Sequence, residues 1–171
     1  MNRLAIFIQV LLLLSQVSAQ HQLKDWKEFV PLETNRDEVE KVLGPPEVYF
    51  DTYGTYETAF GKFHVWYSSG RCDKNTQGVQ WNVSAKKLTR LVVYPQQAHQ
   101  LDYYVPNMKD IGSILSPGRF SRTLYTTKDE SITYETITNR NNTEYINSIE
   151  LSPTKDKQRF LCPSRSISDK N

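Results

Sequence analysis

The 171-residue chain is poor in the residues that carry most protein chemistry: two cysteines, three histidines, two methionines and seven glycines. With no Cys-x-x-Cys and no His-Glu-x-x-His, neither a redox dithiol nor a zinc-peptidase helix is written in it, and so few glycines leave no phosphate-cradling loop. There is no Gly-x-Ser-x-Gly either, and Ser68-Ser69-Gly70 reads as a turn that ends a strand. His21, His64 and His99 stand far apart, and His64 alternates with apolar strand positions, so it is read as a sheet residue rather than a ligand or general base. No catalytic residue, metal ligand or cofactor is therefore assigned. The expectation is a non-enzyme, with an unrecognised catalytic site as the alternative.

Charge of one sign is missing as well. Lys and Arg number 21 against 19 Asp and Glu, and removal of the first 19 residues takes away Arg3 and no acid, leaving 20 against 19. A near-neutral chain lacks the clustered bases that neutralise phosphates, which argues against nucleic acid as a partner. The tightest basic group, Lys86, Lys87 and Arg90, reads as a solvated strand edge. Only one long apolar run exists, Leu4 to Leu14 after the lone Arg3, followed by Val17-Ser18-Ala19. That run falls short of the roughly 20 residues a spanning helix needs, and small residues at a cleavage site complete the pattern of a secretory signal peptide over 1–19. No membrane span is expected after cleavage, and periplasmic or extracellular localisation follows.

Export places Cys72 and Cys162 in an oxidising compartment, where one intramolecular disulfide is the natural reading; two free thiols or an intermolecular bridge are the alternatives. It would close a loop of about 90 residues, worth on the order of 4 to 5 kcal/mol in the chain-entropy account.

Along the chain, Leu23, Trp26, Phe29 and Val30 fall on one side of a short helix within 22–30. Thr34 and Asp37 stand close to a capping box, Val39, Val42 and Leu43 follow at helical spacing, and Gly44-Pro45-Pro46 ends the helix. Strands are expected over 48–56 and 63–67, the latter with Phe63, Val65 and Tyr67 on one face and His64 and Trp66 on the other. Further strands are expected over 79–82 and 88–94, the last stopped by Pro95. The polar segment 96–100 marks an internal boundary. Beyond it the plan repeats: Asn107 and Asp110 take the capping relation, Ile111, Ile114 and Leu115 the helical spacing, Ile132-Thr133-Tyr134 an alternating strand, Asn139 to Asn142 a turn, and Ile149, Leu151 and Pro153 the spacing of Leu91, Val93 and Pro95. The expected fold class is α+β: two tandem helix-plus-antiparallel-strand units, 20–95 and 96–163, packed as one domain between the signal peptide and a disordered tail over 164–171.

The helix that ends in Val42-Leu43-Gly44-Pro45-Pro46 after Thr34-x-x-x-x-Val39, followed by aromatic antiparallel strands, resembles the small lipoprotein of the outer-membrane assembly machinery, of the SmpA/OmlA-like family. That fold family includes the β-lactamase inhibitor protein. The segment Tyr67 to Cys72, read as Tyr-x-x-Gly-x-Cys, and Leu161-Cys162-Pro163 also resemble a set of uncharacterised exported bacterial proteins. The resemblance implies a scaffold for protein contacts without catalytic residues. It also implies a bacterial source, in which the sequons Asn82-Val83-Ser84 and Asn141-Asn142-Thr143 are chance.

Aromatics are what the chain has in plenty: Tyr49, Phe50, Tyr53, Tyr56, Phe60, Phe63, Trp66 and Tyr67 crowd one short stretch. With Phe63, Val65 and Tyr67 taken as core, His64 and Trp66, with Tyr53 or Tyr56 from the neighbouring strand, form the expected contact surface for another envelope or extracellular protein. Two alternatives stand beside it. One is a small-molecule or glycan site in an aromatic pocket, and the other is a face covered by the second half or by 23–30, which would make Trp66 core.

Overall fold

The computed structural model describes residues 26–70, 72, 79–105, 107–116 and 122–162. The expected signal peptide and the expected tail lie outside the described residues. So does most of the first expected helix, of which a three-residue 3-10 turn, Trp26–Glu28, is described.

One antiparallel sheet of eight strands dominates, in the order β1-β2-β3-β4-β8-β7-β6-β5. The first meander comprises β1 (Val48–Phe50), β2 (Tyr53–Glu57), β3 (Gly61–Tyr67) and β4 (Leu88–Pro95). The second comprises β5 (Ile111–Leu115), β6 (Arg122–Thr127), β7 (Ile132–Thr138) and β8 (Glu144–Leu151). They join through β4 and β8, where Leu91 faces Leu151, Val92 faces Glu150 and Val93 faces Ile149. The two segments matched by spacing in the sequence are thus each other's ladder partners at the seam.

Helix α1 (Arg36–Leu43) begins one residue later than the sequence suggested. Asn35 is the cap: its side chain accepts from the Glu38 amide at 3.0 Å, and the Glu38 carboxylate accepts from the Asn35 amide at 2.6 Å. Thr34 is still tied to the sheet, its carbonyl accepting from Leu88 N–H at 2.8 Å, so the backbone turns helical only after Asn35. Gly44, at φ 84°, ends the helix in a conformation that side chains disfavour. Val39 and Leu43 bury one face of α1. Arg36, only 3% exposed, is held by Glu40 at 2.7 Å, by the Phe50 carbonyl at 3.1 Å and by the Tyr49 ring 3.5 Å away.

The expected strand over 48–56 is broken by a tight turn at Asp51 and Thr52, with Phe50 opposite Tyr53, giving a two-residue hairpin. The 79–82 strand reduces to one bridge, Trp81 with Leu161, flanked by Asn82 N–H to the Phe160 carbonyl at 2.7 Å and Cys162 N–H to the Gln80 carbonyl at 3.0 Å. The disulfide joins Cys72 to Cys162 beside this bridge.

The expected α+β plan of two helix-plus-strand units is overturned: one eight-stranded antiparallel sheet dominates, and among the described residues the second unit has no counterpart to α1. Asn107 does cap, accepting from the Lys109 amide at 3.1 Å, but only the three-residue turn Met108–Asp110 follows. Ile111 to Leu115 then runs as β5 against β6. Two features of Ile-Gly-Ser-Ile-Leu explain it: β-branched residues and Gly112 are poor helix formers, and Gly112 occupies a bulge where a Cβ would lie 2.8 Å from Lys128 Cα. Among the described residues the only α-helix near this half is the four-residue α2 (Leu101–Tyr104), and the segment leading into it is tied to β8 by Ile146 N–H donating to the His99 carbonyl at 2.8 Å.

The core lies between the sheet and α1 with the Trp26–Phe29 segment. Trp26 meets Phe60 and Phe63 at 6.3 Å, and Tyr56, Val65, Leu91, Val93 and Ile149 are buried with them.

Candidate functional site

Alternation along β3 decides which side chains leave the core. Phe63, Val65 and Tyr67 point inward and are buried, so Lys62, His64 and Trp66 occupy the outer face. Register carries this across the sheet: Trp66 lies between Tyr53 and Arg90, and His64 between Thr55 and Val92. The segment Trp26 to Phe29 packs on the opposite face, and Trp66 is half-buried rather than core.

The outcome is a ladder of flat groups running across five strands. Phe50 stacks on Tyr53 at 6.3 Å, Tyr53 meets Trp66 at 5.3 Å, and the Arg90 guanidinium sits 4.8 Å from the Trp66 ring. Arg90 then grips Glu150 of β8 with two parallel bonds, Nε–Oε1 at 2.8 Å and Nη2–Oε2 at 2.7 Å. That grip holds the Arg90 pKa above its ordinary value. A branch leaves the ladder at Tyr53, whose hydroxyl meets His64 Nδ1 at 2.6 Å, and continues from His64 to Tyr94 at 5.3 Å. Burial, with a contribution from the nearby Lys62 charge, lowers the His64 pKa, so the ring is neutral at pH 7. Phe50 is 61% and Tyr94 44% exposed, far above the norm for rings of a packed sheet.

Of the residues expected in the contact surface, Tyr53, His64 and Trp66 come together. Tyr56 does not. Three residues from Tyr53, it falls on the inner face with no exposure, its hydroxyl 2.7 Å from that of Tyr67. Sequence reasoning missed Arg90, Glu150 and Tyr94. The signal was present: once Leu91 and Val93 point inward, Arg90 and Tyr94 must point outward, and Ile149 and Leu151 do the same for Glu150.

At the Trp66–Arg90–Glu150 end the face is walled. The Gln80–Trp81 segment, clipped to Leu161 and Cys162, lines with Trp66, Arg90 and Glu150 a cleft of about 720 Å³ to which Thr52, Ser152 and Pro153 also contribute. Among the described residues no cluster of three His, Cys, Asp or Glu side chains could hold a metal, and no helix is long and apolar enough to cross a membrane.

Comparison with known proteins adds little to this geometry. No family model matches the chain, and no curated protein matches it. A solved structure of a DUF4309 family protein, YjgB from Bacillus subtilis, is similar with a TM-score of 0.43 and 9% identity, over 71% of this chain and 80% of that one. Nothing in these comparisons bears on the resemblance to the outer-membrane assembly lipoprotein or to the β-lactamase inhibitor protein.

Proposed function

We propose that the chain is an exported, non-enzymatic binding module that docks an envelope or extracellular protein on the outer face of the first meander. The observation that carries this reading is the continuous run of rings, Phe50, Tyr53, Trp66, His64 and Tyr94, on a sheet face with Phe50 and Tyr94 open to solvent. Stacked rings offer large apolar area already fixed in shape, so little conformational freedom is lost on contact, the condition under which Trp and Tyr dominate binding energy. Export is supported by the Cys72–Cys162 bond, of a kind that persists in oxidising compartments, together with the signal-like first 19 residues.

The test is site-specific photo-crosslinking in the cells that make the protein, with a photoreactive phenylalanine at Phe50 or Tyr94 and a control at Asp37 on α1. Discrete protein adducts are expected at the two face positions, depleted by Trp66→Ala, and none at Asp37. The absence of adducts at both face positions, or the same adducts from Asp37, would overturn the reading.

A further inference from the structure

We infer that the walled end of this face, which shares Trp66 with the docking surface, is a second binding site, for a neutral saccharide. The cleft of about 720 Å³ lies within the roughly 300–1,000 Å³ of small-ligand sites. Two indole rings line it, Trp66 from the sheet and Trp81 from the Gln80–Trp81 segment, and the ligand must offer apolar patches to them. Its polar groups are charge-balanced: among the described lining residues Arg90 is the one cation and Glu150 the one anion, and they already neutralise each other bidentately. An anion would meet the Glu150 carboxylate beside the guanidinium, and a cation would meet the guanidinium beside the carboxylate. A ligand without charge is what remains.

The pair is nonetheless rich in directed hydrogen-bonding capacity. Arg90 keeps three of its five N–H donors beyond the two given to Glu150, and each carboxylate oxygen keeps a further lone pair, all in two fixed planes. Hydroxyls spaced along a ring match such planes, and the C–H faces of the same ring lie flat on indole. Thr52 and Ser152 extend the polar lining. A sugar unites vicinal hydroxyls with an apolar face and no charge; a fatty chain lacks the first, a phosphate the last. The site comes preorganised, because the bond from Cys162 to Cys72 and the Cys162 N–H to Gln80 carbonyl contact hold the Trp81 wall in place before any ligand arrives.

The experiment titrates the purified, disulfide-bonded chain with neutral tetrasaccharides of glucose and of N-acetylglucosamine, reading tryptophan fluorescence and the indole N–H resonances. Saturable changes in Trp66 and Trp81, with Trp26 silent in the core, are expected for at least one tetrasaccharide. Trp81→Ala and Glu150→Gln should each weaken the affinity by about tenfold or more, the loss that follows from removing one ring contact or one charge-assisted hydrogen bond. Phe50→Ser and Tyr94→Ser, at positions that do not line the cleft, should leave it unchanged, while each depletes the photo-crosslinks formed by the probe at the other position, so failure of the docking reading and failure of the saccharide site are told apart. Should Trp81→Ala perturb the fold by circular dichroism, Glu150→Gln, isosteric and half exposed, carries the test alone. No saturable response to either tetrasaccharide, binding indifferent to Glu150→Gln, or a response to inorganic phosphate in place of sugar would overturn the inference.

Discussion

The two meanders share a strand plan and differ in what covers them. In the first, α1 and the Trp26–Phe29 segment lie over the inner face, and Tyr56, Phe63, Val65, Tyr67, Leu91 and Val93 are buried there. In the second, neither β5 nor β6 contains a fully buried residue, and Ile114 is 58% exposed. Its inner face is satisfied chemically in another way: the Glu144 carboxylate accepts from the Thr136 hydroxyl at 2.9 Å and from the Tyr125 hydroxyl at 2.8 Å. Burial and that bond push the Tyr125 pKa up to about 12, keeping it a donor. The buried core side chains of the second meander, Tyr134, Ile146, Ile149 and Leu151, all come from β7 and β8, and toward its β5–β6 edge hydrogen bonds to a half-buried carboxylate take over from aliphatic burial.

The largest expected effect joins the halves rather than separating them. Replacing Cys72 and Cys162 together by Ser should cost up to about 4–5 kcal/mol, because the bond closes a 90-residue separation in the unfolded chain. Urea unfolding checks this, and a loss under about 1 kcal/mol would mean that the meanders hold together without the clasp. Next, Phe63→Ala should cost about 3–5 kcal/mol, since the ring is fully enclosed in the first meander. In the second meander Thr136→Val keeps the shape but strips a hydroxyl from Glu144, for an expected loss of about 1–3 kcal/mol. Equal losses at the two positions would erase the contrast.

The smallest effects are in pH dependence, and they should divide by half. The His64 pKa is lowered in the fold, so the unfolded chain binds the extra proton first and stability falls as pH drops below about 6.5 toward the folded value. In the β6–β7 turn, burial works to raise the Asp129 pKa but hydrogen bonds from Thr127 and Ser131 prevail, and it lies below the ordinary carboxylate value. Its contribution should persist above about pH 4 and vanish as pH falls through that lowered value. His64→Asn should therefore flatten the stability curve just below about pH 6.5, and Asp129→Asn below about pH 4, as read by thermal melts. Interchanged windows would show that these groups are not the ones titrating.

Much of the first meander was legible because its signals are local. Phe63, Val65 and Tyr67 announce an inward face by alternation alone, and Gly44 announces a helix end by its conformation. The pairing of Cys72 with Cys162 was legible by arithmetic, there being no third cysteine. The segment 107–115 misled for a physical reason: Asn107 does cap a turn, and Ile111, Ile114 and Leu115 do fit a helical stripe, but ladder bonds to Leu124, Tyr125 and Thr127 outweigh the stripe where no surface waits to receive it. The candidate site was half legible. Tyr53, His64 and Trp66 follow from one hairpin, while Arg90 and Glu150, 60 residues apart, meet only because β8 returns beside β4, which no local pattern encodes.

That return has a consequence for how the chain is made. Strand β4 is complete when Pro95 has emerged, yet its partner β8 is synthesised last among the strands. In the interval the backbone groups of Leu91, Val92 and Val93 present an unpaired edge of strongly β-forming residues, the kind of template on which nascent chains stick to one another. Closure of the sheet must therefore wait for β8: the seam edge of the first meander stays open until the second has been made, and Cys162, arriving later still, finds Cys72 in a chain long since emerged. A truncation that stops before Glu144 should leave an aggregating remnant rather than a working half.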